Sequence, residues 1–198
     1  MISKLSKQLV DKLVFNNAIS KDELELYAYG SFVLLSQLMY FTISFFLGIL
    51  LGCILESIIF YISFQFIRRY AGGYHESTEA RCEILSTLSI LTCVVVIKFT
   101  KIYDFQTALL IISVASAVCV FFLCPIDTAE KPLSEKEFKY FRKVSLIILF
   151  AIIIAIAVSY IFKFRIATVP CCLSLILESI LLVLGKIKRG LQTNNVKS

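Results

Sequence analysis

The chain holds a single histidine, His75, and Cys82 follows it seven residues later. Both lie in the polar stretch Arg68-Arg69-Tyr70-Ala71-Gly72-Gly73-Tyr74-His75-Glu76-Ser77-Thr78-Glu79-Ala80-Arg81-Cys82. An imidazole near a thiol is what a cysteine nucleophile and its general base require. On one straight helix the two would share a face but stand roughly 10 Å apart along the axis. Helical side chains also lean toward the N-terminus, which carries His75 away from Cys82. A continuous helix therefore does not form the dyad. Gly72-Gly73 supplies the break, because glycine takes positive φ and lets the chain fold back. Ser77 or Thr78 is then expected to cap a helix with Cys82 in its first turns, where the helix N-terminus favours a thiolate. His75 stays in the loop and can return over the thiol. Glu79 could orient the imidazole, or more simply favour the start of that helix.

Competing chemistries fit poorly. His75-Glu76 is not followed by the second histidine of a metalloprotease helix, and the chain has none to offer, so no metal or other cofactor is expected. No G-x-S-x-G elbow is present for a serine nucleophile. Cys53, Cys93, Cys119, Cys124, Cys171 and Cys172 lie in or at the ends of apolar runs and read as small hydrophobes. The odd total of 7 argues against a disulfide framework.

The elements that must position the pair are those of a membrane protein. The 198 residues are 59% hydrophobic and 17% charged, with mean hydropathy +0.86; ordinary soluble domains carry about 25% charged residues. The charges are also missing from long tracts. This predicts an all-α, polytopic membrane helix bundle forming a single domain over residues 1–198. No removable signal peptide is expected, since residues 1–25 contain no apolar run followed by a small-residue cleavage site.

Within residues 1–19, Ile2, Leu5, Leu9, Val10 and Leu13 recur at helical spacing with Lys4, Lys7, Asp11 and Lys12 between them, which predicts an amphipathic helix on a membrane surface. Asn16-Asn17 breaks it, and Ser20 with Glu23 forms a capping box for the next helix. The apolar tract 32–67 exceeds one span of about 20 residues. A turn near Gly48–Gly52 divides it into two helices, the second short. Residues 84–97, 107–124, 144–162 and 166–184 complete about six spans. The 84–97 segment is either partial or lengthened by the end of the polar motif.

With six spans both termini share a side with the 68–83 segment and the basic 125–143 loop. That side holds all the Lys and Arg residues except Lys98, Lys101, Lys163 and Arg165, and the positive-inside rule makes it cytoplasmic. His75 and Cys82 then face a compartment that keeps thiols reduced. The net charge of +6 is mostly a topological signature. Split over four segments with no basic domain, it gives no reason to expect nucleic-acid binding.

The run Arg68-x-x-x-Gly72-Gly73-x-His75-x6-Cys82-x3-Ser86 resembles the signature of the AgrB family, the accessory gene regulator protein B peptidases of Gram-positive bacteria. The segment Pro125-Ile126-Asp127-Thr128-Ala129-Glu130-Lys131-Pro132, followed by a basic helix start, resembles a second family feature. Length, the amphipathic N-terminus and the hydrophobic layout agree, so the similarity spans nearly the whole chain. Glu76 departs from it, standing where a small residue is expected.

The resemblance implies a cysteine endopeptidase of the bacterial cell membrane that processes an AgrD-type precursor into a cyclic quorum-sensing autoinducer. Cys82 would be the nucleophile and His75 its general base, then acid. Arg68 and Gly73 match family positions, with Gly72 and Ser86 in the same run. Arg68 would position the site or serve as a positive-inside anchor, and Gly73 would set the backbone. The implied partners are the precursor peptide and the lipid bilayer. A homodimer is expected, since a 22.4 kDa bundle has little room to enclose a peptide.

Other charged groups admit two roles each. Glu56 and Glu178 lie within apolar segments, where carboxylates face the bundle interior; they hydrogen-bond neighbours or line a peptide groove. Lys131, Lys136, Lys139, Arg142 and Lys143 attract an acidic peptide tail, or serve topology and pair with Glu135 and Glu137. A rival of another class is a small peptide transporter or exporter, with Gly72-Gly73 in a re-entrant loop and Glu56 and Glu178 as relay groups. A purely structural membrane subunit is a third.

Overall fold

The structure, a computed structural model, describes residues 2–15, 19–74, 78–127 and 133–197. It is all-helical among these residues. The order is α1 (Ile2–Phe15), a 3-10 turn (Lys21–Glu23), α2 (Leu24–Leu51), α3 (Ile54–Ala71), α4 (Glu79–Ile102), α5 (Gln106–Leu123), α6 (Glu135–Ile161) and α7 (Arg165–Lys197). The chain divides into two compact units, Met1–Ile43 and Ser44–Ser198.

In the first unit α1 is amphipathic as its spacing predicts. Ser6 and Val10, one turn apart, are buried, while Leu5 and Leu9 are exposed. The Ser6 hydroxyl donates to the Ala28 carbonyl at 2.8 Å and meets the Ser31 hydroxyl at 2.6 Å, which ties α1 to the start of α2. The Ser20 N–H and hydroxyl both donate to the Glu23 carboxylate, at 3.2 and 2.9 Å.

In the second unit the turn expected near Gly48–Gly52 falls at Gly52-Cys53, where Gly52 takes φ 68°. Gly48 lets α3 approach closely. A Cβ there would stand 2.8 Å from the Ser57 hydroxyl oxygen and 3.0 Å from the Ile54 Cα. Ser57 stitches the corner, its hydroxyl donating to the Cys53 carbonyl at 2.7 Å and its own carbonyl accepting from Ser44 at 3.2 Å.

Among the described residues five helices are long and apolar enough to cross a membrane: α2, α4, α5, α6 and α7. The chain is a multi-pass membrane protein. The sixth long helix, α3, has 18 residues and carries Glu56 in its first turn and Arg68 and Arg69 in its last. Helix α4 reaches 24 residues, longer than its apolar stretch alone, because it recruits the end of the polar motif and continues through Lys98 to Ile102.

Helix α7 is the centre of this unit. Residues 168–175 form an unbroken buried run. Cys171, Cys172, Leu175 and Leu182 share one apolar core with Ile67 of α3, Val120 of α5 and Leu149, Ile152 and Ile156 of α6. The connections fall at two ends of the unit. At one end Lys101 donates to the Gly52 carbonyl at 3.0 Å and pairs with Glu56 at 2.7 Å, and Arg165 pairs with Asp104 at 2.9 Å. These are cations that the charge pattern assigns to the sparsely charged side. The opposite end holds the α3–α4 and α5–α6 connections.

Candidate functional site

Helix α3 ends at Ala71, α4 begins at Glu79, and the polar motif runs between them. Gly72 takes φ 74° and ψ −138°, and Gly73 takes φ 116°. The break that the spacing of His75 and Cys82 demands is therefore present. His75 and Lys131 lie outside the described residues. Thr78 occupies the N-cap of α4 with extended backbone, although its side chain makes no capping bond. Cys82 closes the first helical hydrogen bond, its N–H donating to the Thr78 carbonyl at 3.1 Å. The Cys82 side chain is thus one turn into α4 and partly exposed, whereas Cys53, Cys93, Cys124, Cys171 and Cys172 are buried. Ser86 follows one turn later on the same face, half-buried. Glu79 is the first residue of α4.

The chain between Ala71 and Tyr74 is held on three sides. From α3, the Arg68 guanidinium reaches forward and donates to the carbonyls of both Gly72 and Tyr74. From the α5–α6 connection, Ile126 pairs with Gly72 in a parallel bridge, its N–H donating to the Ala71 carbonyl at 2.9 Å. From α7, the Leu181 carbonyl accepts from the Tyr74 N–H at 2.8 Å. One turn on, Gly185 leaves the space in which Gly73 and Tyr74 sit; a Cβ there would stand 2.8 Å from the Gly73 carbonyl carbon and the Tyr74 nitrogen. Lys188 completes this face of α7 with its ammonium 5.2 Å from the Tyr74 ring centroid, a cation–π distance.

Both glycines are required by contact as well as by φ. A Cβ on Gly72 would overlap the Ile126 carbonyl oxygen, and one on Gly73 would overlap the Arg68 guanidinium. Beneath the bracket lies Glu178 of α7, fully buried, with a carboxylate oxygen 4.0 Å from Arg68. Neither of its oxygens has a hydrogen-bond partner among the described residues.

The segment carrying the second sequence feature is tied to the same end. Arg142 of α6 donates to the Cys124 carbonyl at 2.7 Å, and Arg189 of α7 pairs with Asp127. Burial pushes the Cys124 thiol up, with Arg142 partly offsetting it and Glu178 adding to it. Lys136, Lys139 and Lys143 are exposed along the start of α6.

The structure thus brings together Arg68, Gly72 and Gly73, with Cys82 a short way along the chain. It does not bring Glu56 to them. Glu56 and Arg68 sit at opposite ends of α3, roughly 18 Å apart at 1.5 Å per residue, and Glu56 is engaged with Lys101. Sequence reasoning singled out Glu178 but missed Leu181, Gly185 and Lys188, which share its face of α7. The available signal was a carboxylate and a glycine seven residues apart, and so on one face, in an apolar helix. It also missed Ser134-Glu135-Lys136-Glu137, a full capping box at the start of α6. There Ser134 accepts from the Glu137 N–H at 3.3 Å and the Glu137 carboxylate accepts from the Ser134 N–H at 2.9 Å.

Fold and site together define a multi-pass helical membrane protein with a bracketed polar loop leading to a partly exposed cysteine. Residues 6–182 match the family described as Accessory gene regulator B, and the chain belongs to that family. It is 30% identical over 156 residues to an AgrB-like protein of Clostridium perfringens strain SM101, covering 75% of this chain and 72% of that one. It is 29% identical, with the same coverage, to AgrB-like protein 2 of Clostridium perfringens strain 13. It is 28% identical over 112 residues to accessory gene regulator protein B of Staphylococcus intermedius, covering 56% of this chain and 57% of that one. No solved structure matches the chain. Family membership connects the protein to the accessory gene regulator system of quorum sensing.

Proposed function

We propose that the protein is a cysteine endopeptidase that cleaves an AgrD-type precursor and prepares it for cyclisation. The observation that carries this reading is the positive-φ break at Gly72-Gly73, which ends α3 before His75 and leaves Cys82 one turn into α4. Both termini and the site face the cytoplasm, where Cys82 stays reduced.

Cys82, deprotonated by His75, attacks a backbone carbonyl of the precursor. The C–N bond breaks, the tail leaves as an amine protonated by His75, and an acyl-enzyme thioester remains. A cysteine thiol within the peptide then attacks that thioester, closing a thiolactone and releasing Cys82; a serine hydroxyl would give a lactone. The second step exchanges one thioester for another and needs little driving force. The first converts an amide to a thioester and is uphill, so removal of the tail pulls the reaction. Water must be kept from the acyl-enzyme, which a site at the membrane face favours. Arg68, Gly72, Gly73, Glu79 and Ser86 support the dyad, the cations of 131–143 receive the precursor's acidic tail, and the enzyme works as a homodimer.

The test is co-expression of the full chain with an epitope-tagged AgrD-type precursor. Cys82→Ala and His75→Ala should each abolish cleavage while the protein remains membrane-inserted. Unchanged cleavage in either variant rejects the reading. Movement of the precursor across the membrane that survives Cys82→Ala would favour a transporter instead.

A further inference from the structure

We propose that α7 is the template on which the catalytic segment is set, with Glu178 and Gly185 as positioning residues for the dyad. This rests on the cysteine peptidase reading.

Glu178 is fully buried and its carboxylate has no hydrogen-bond partner among the described residues; the cation beside it is Arg68, at 4.0 Å. A carboxylate so placed is costly unless a counter-charge compensates it. The guanidinium that supplies that charge spends its N–H groups on the carbonyls of Gly72 and Tyr74. Glu178 therefore holds the cation, and the cation holds the carbonyls of Gly72 and Tyr74, three residues and one residue before His75. Gly185 acts on the same stretch by a different route. Its missing side chain lets Gly73 and Tyr74 lie against α7, where the Tyr74 N–H reaches the Leu181 carbonyl. The positions 178, 181 and 185 fall on one face of the helix, so a rotation or shift of α7 would move all three supports together. A general base must lie within hydrogen-bond reach of its thiol. Main chain anchored up to Tyr74 confines where the next residue can go.

Two variants probe the charge and the space separately. Glu178→Gln keeps the volume and removes the charge. Gly185→Ala adds one methyl group and leaves the charge alone. Each full-length protein, purified in lipid nanodiscs, is measured in two ways. The first is hydrogen exchange of the Tyr70–Tyr74 segment, which reads the Tyr74–Leu181 bond without any reaction. The second is steady-state cleavage of the precursor, with Cys82→Ala as reference. Exchange of that segment should accelerate at least about tenfold in both variants, with α5 and α6 unchanged. The kcat should fall roughly 10- to 100-fold, as expected of misplaced catalytic groups, with KM changed less than about twofold.

Unchanged exchange in both variants overturns the template. Faster exchange with unchanged kcat overturns the positioning role while leaving the peptidase reading intact. Cleavage that persists in Cys82→Ala rejects the peptidase reading itself, and exchange alone then decides whether α7 holds the loop. If Glu178→Gln does not fold, Gly185→Ala carries the same test.

Discussion

Gly72 and Ile126 stand side by side as a parallel bridge, where, among the described residues, the polar motif and the α5–α6 connection share backbone hydrogen bonding. The two segments are far apart in sequence, yet the Ile126 N–H donates to the Ala71 carbonyl at 2.9 Å. The end of α3 and the segment after α5 are thereby one structural unit.

Gly72→Ala should break that unit. Its Cβ would overlap the Ile126 carbonyl oxygen, and φ 74° is unfavourable for any residue with a side chain. A loss of about 1–3 kcal/mol of stability is expected, together with slower precursor cleavage. Thermal unfolding in detergent and the cleavage assay check both; wild-type behaviour in the two would show that the 125–127 segment yields without consequence.

Arg68→Lys separates charge from geometry. A lysine still places a cation near Glu178, but a single ammonium lacks the planar fork that serves the Gly72 and Tyr74 carbonyls together. Membrane insertion should persist while cleavage falls about tenfold, the scale of a modest misplacement of catalytic groups. A rate equal to wild type would mean that charge alone suffices.

Cysteine reactivity should separate Cys82 from Cys124. Cys82 is partly exposed, whereas Cys124 is buried and burial pushes its thiol up. A raised thiol keeps its proton to higher pH, so its thiolate fraction at any given pH is lower and alkylation slower. Maleimide labelling of two single-cysteine variants at about pH 8 should modify Cys82 first. Equal rates would contradict the burial of Cys124.

Lys101→Met tests the far end of the unit. Lys101 pairs with Glu56 and caps the α2–α3 corner at Gly52. Lys101 is 40% exposed, so the loss should be modest, about 1 kcal/mol, with cleavage unchanged. A drop in cleavage without a drop in melting temperature would give Glu56 a role toward the peptide.

The break in the candidate site was legible because its demands are local. The spacing of His75 and Cys82 excludes one helix, and only glycine offers positive φ without cost, so Gly72-Gly73 had to be the break. The helix count followed from hydropathy and the length of a span. The length of α4 was harder to read, because helix propensity carries Glu79, Arg81 and Glu83 along with the apolar residues beyond them. The capping box at Ser134 is written plainly in S-x-x-E, among the basic residues at the start of α6.

What the sequence by itself determined, then, is the membrane class, the approximate spans and the place of the break after α3. Each depends on composition or on neighbours within a few residues. What only the tertiary structure decided is what holds the chain at that break: Arg68 set between Glu178 and two carbonyls, Ile126 bonded to Ala71, and Gly185 making room for Tyr74. Apart from the Arg68 bonds to the Gly72 and Tyr74 carbonyls, these contacts join residues tens to more than a hundred positions apart. No periodicity encodes them, because they arise when the helices pack side by side and bring a carboxylate, a carbonyl and a missing side chain to the same few ångströms.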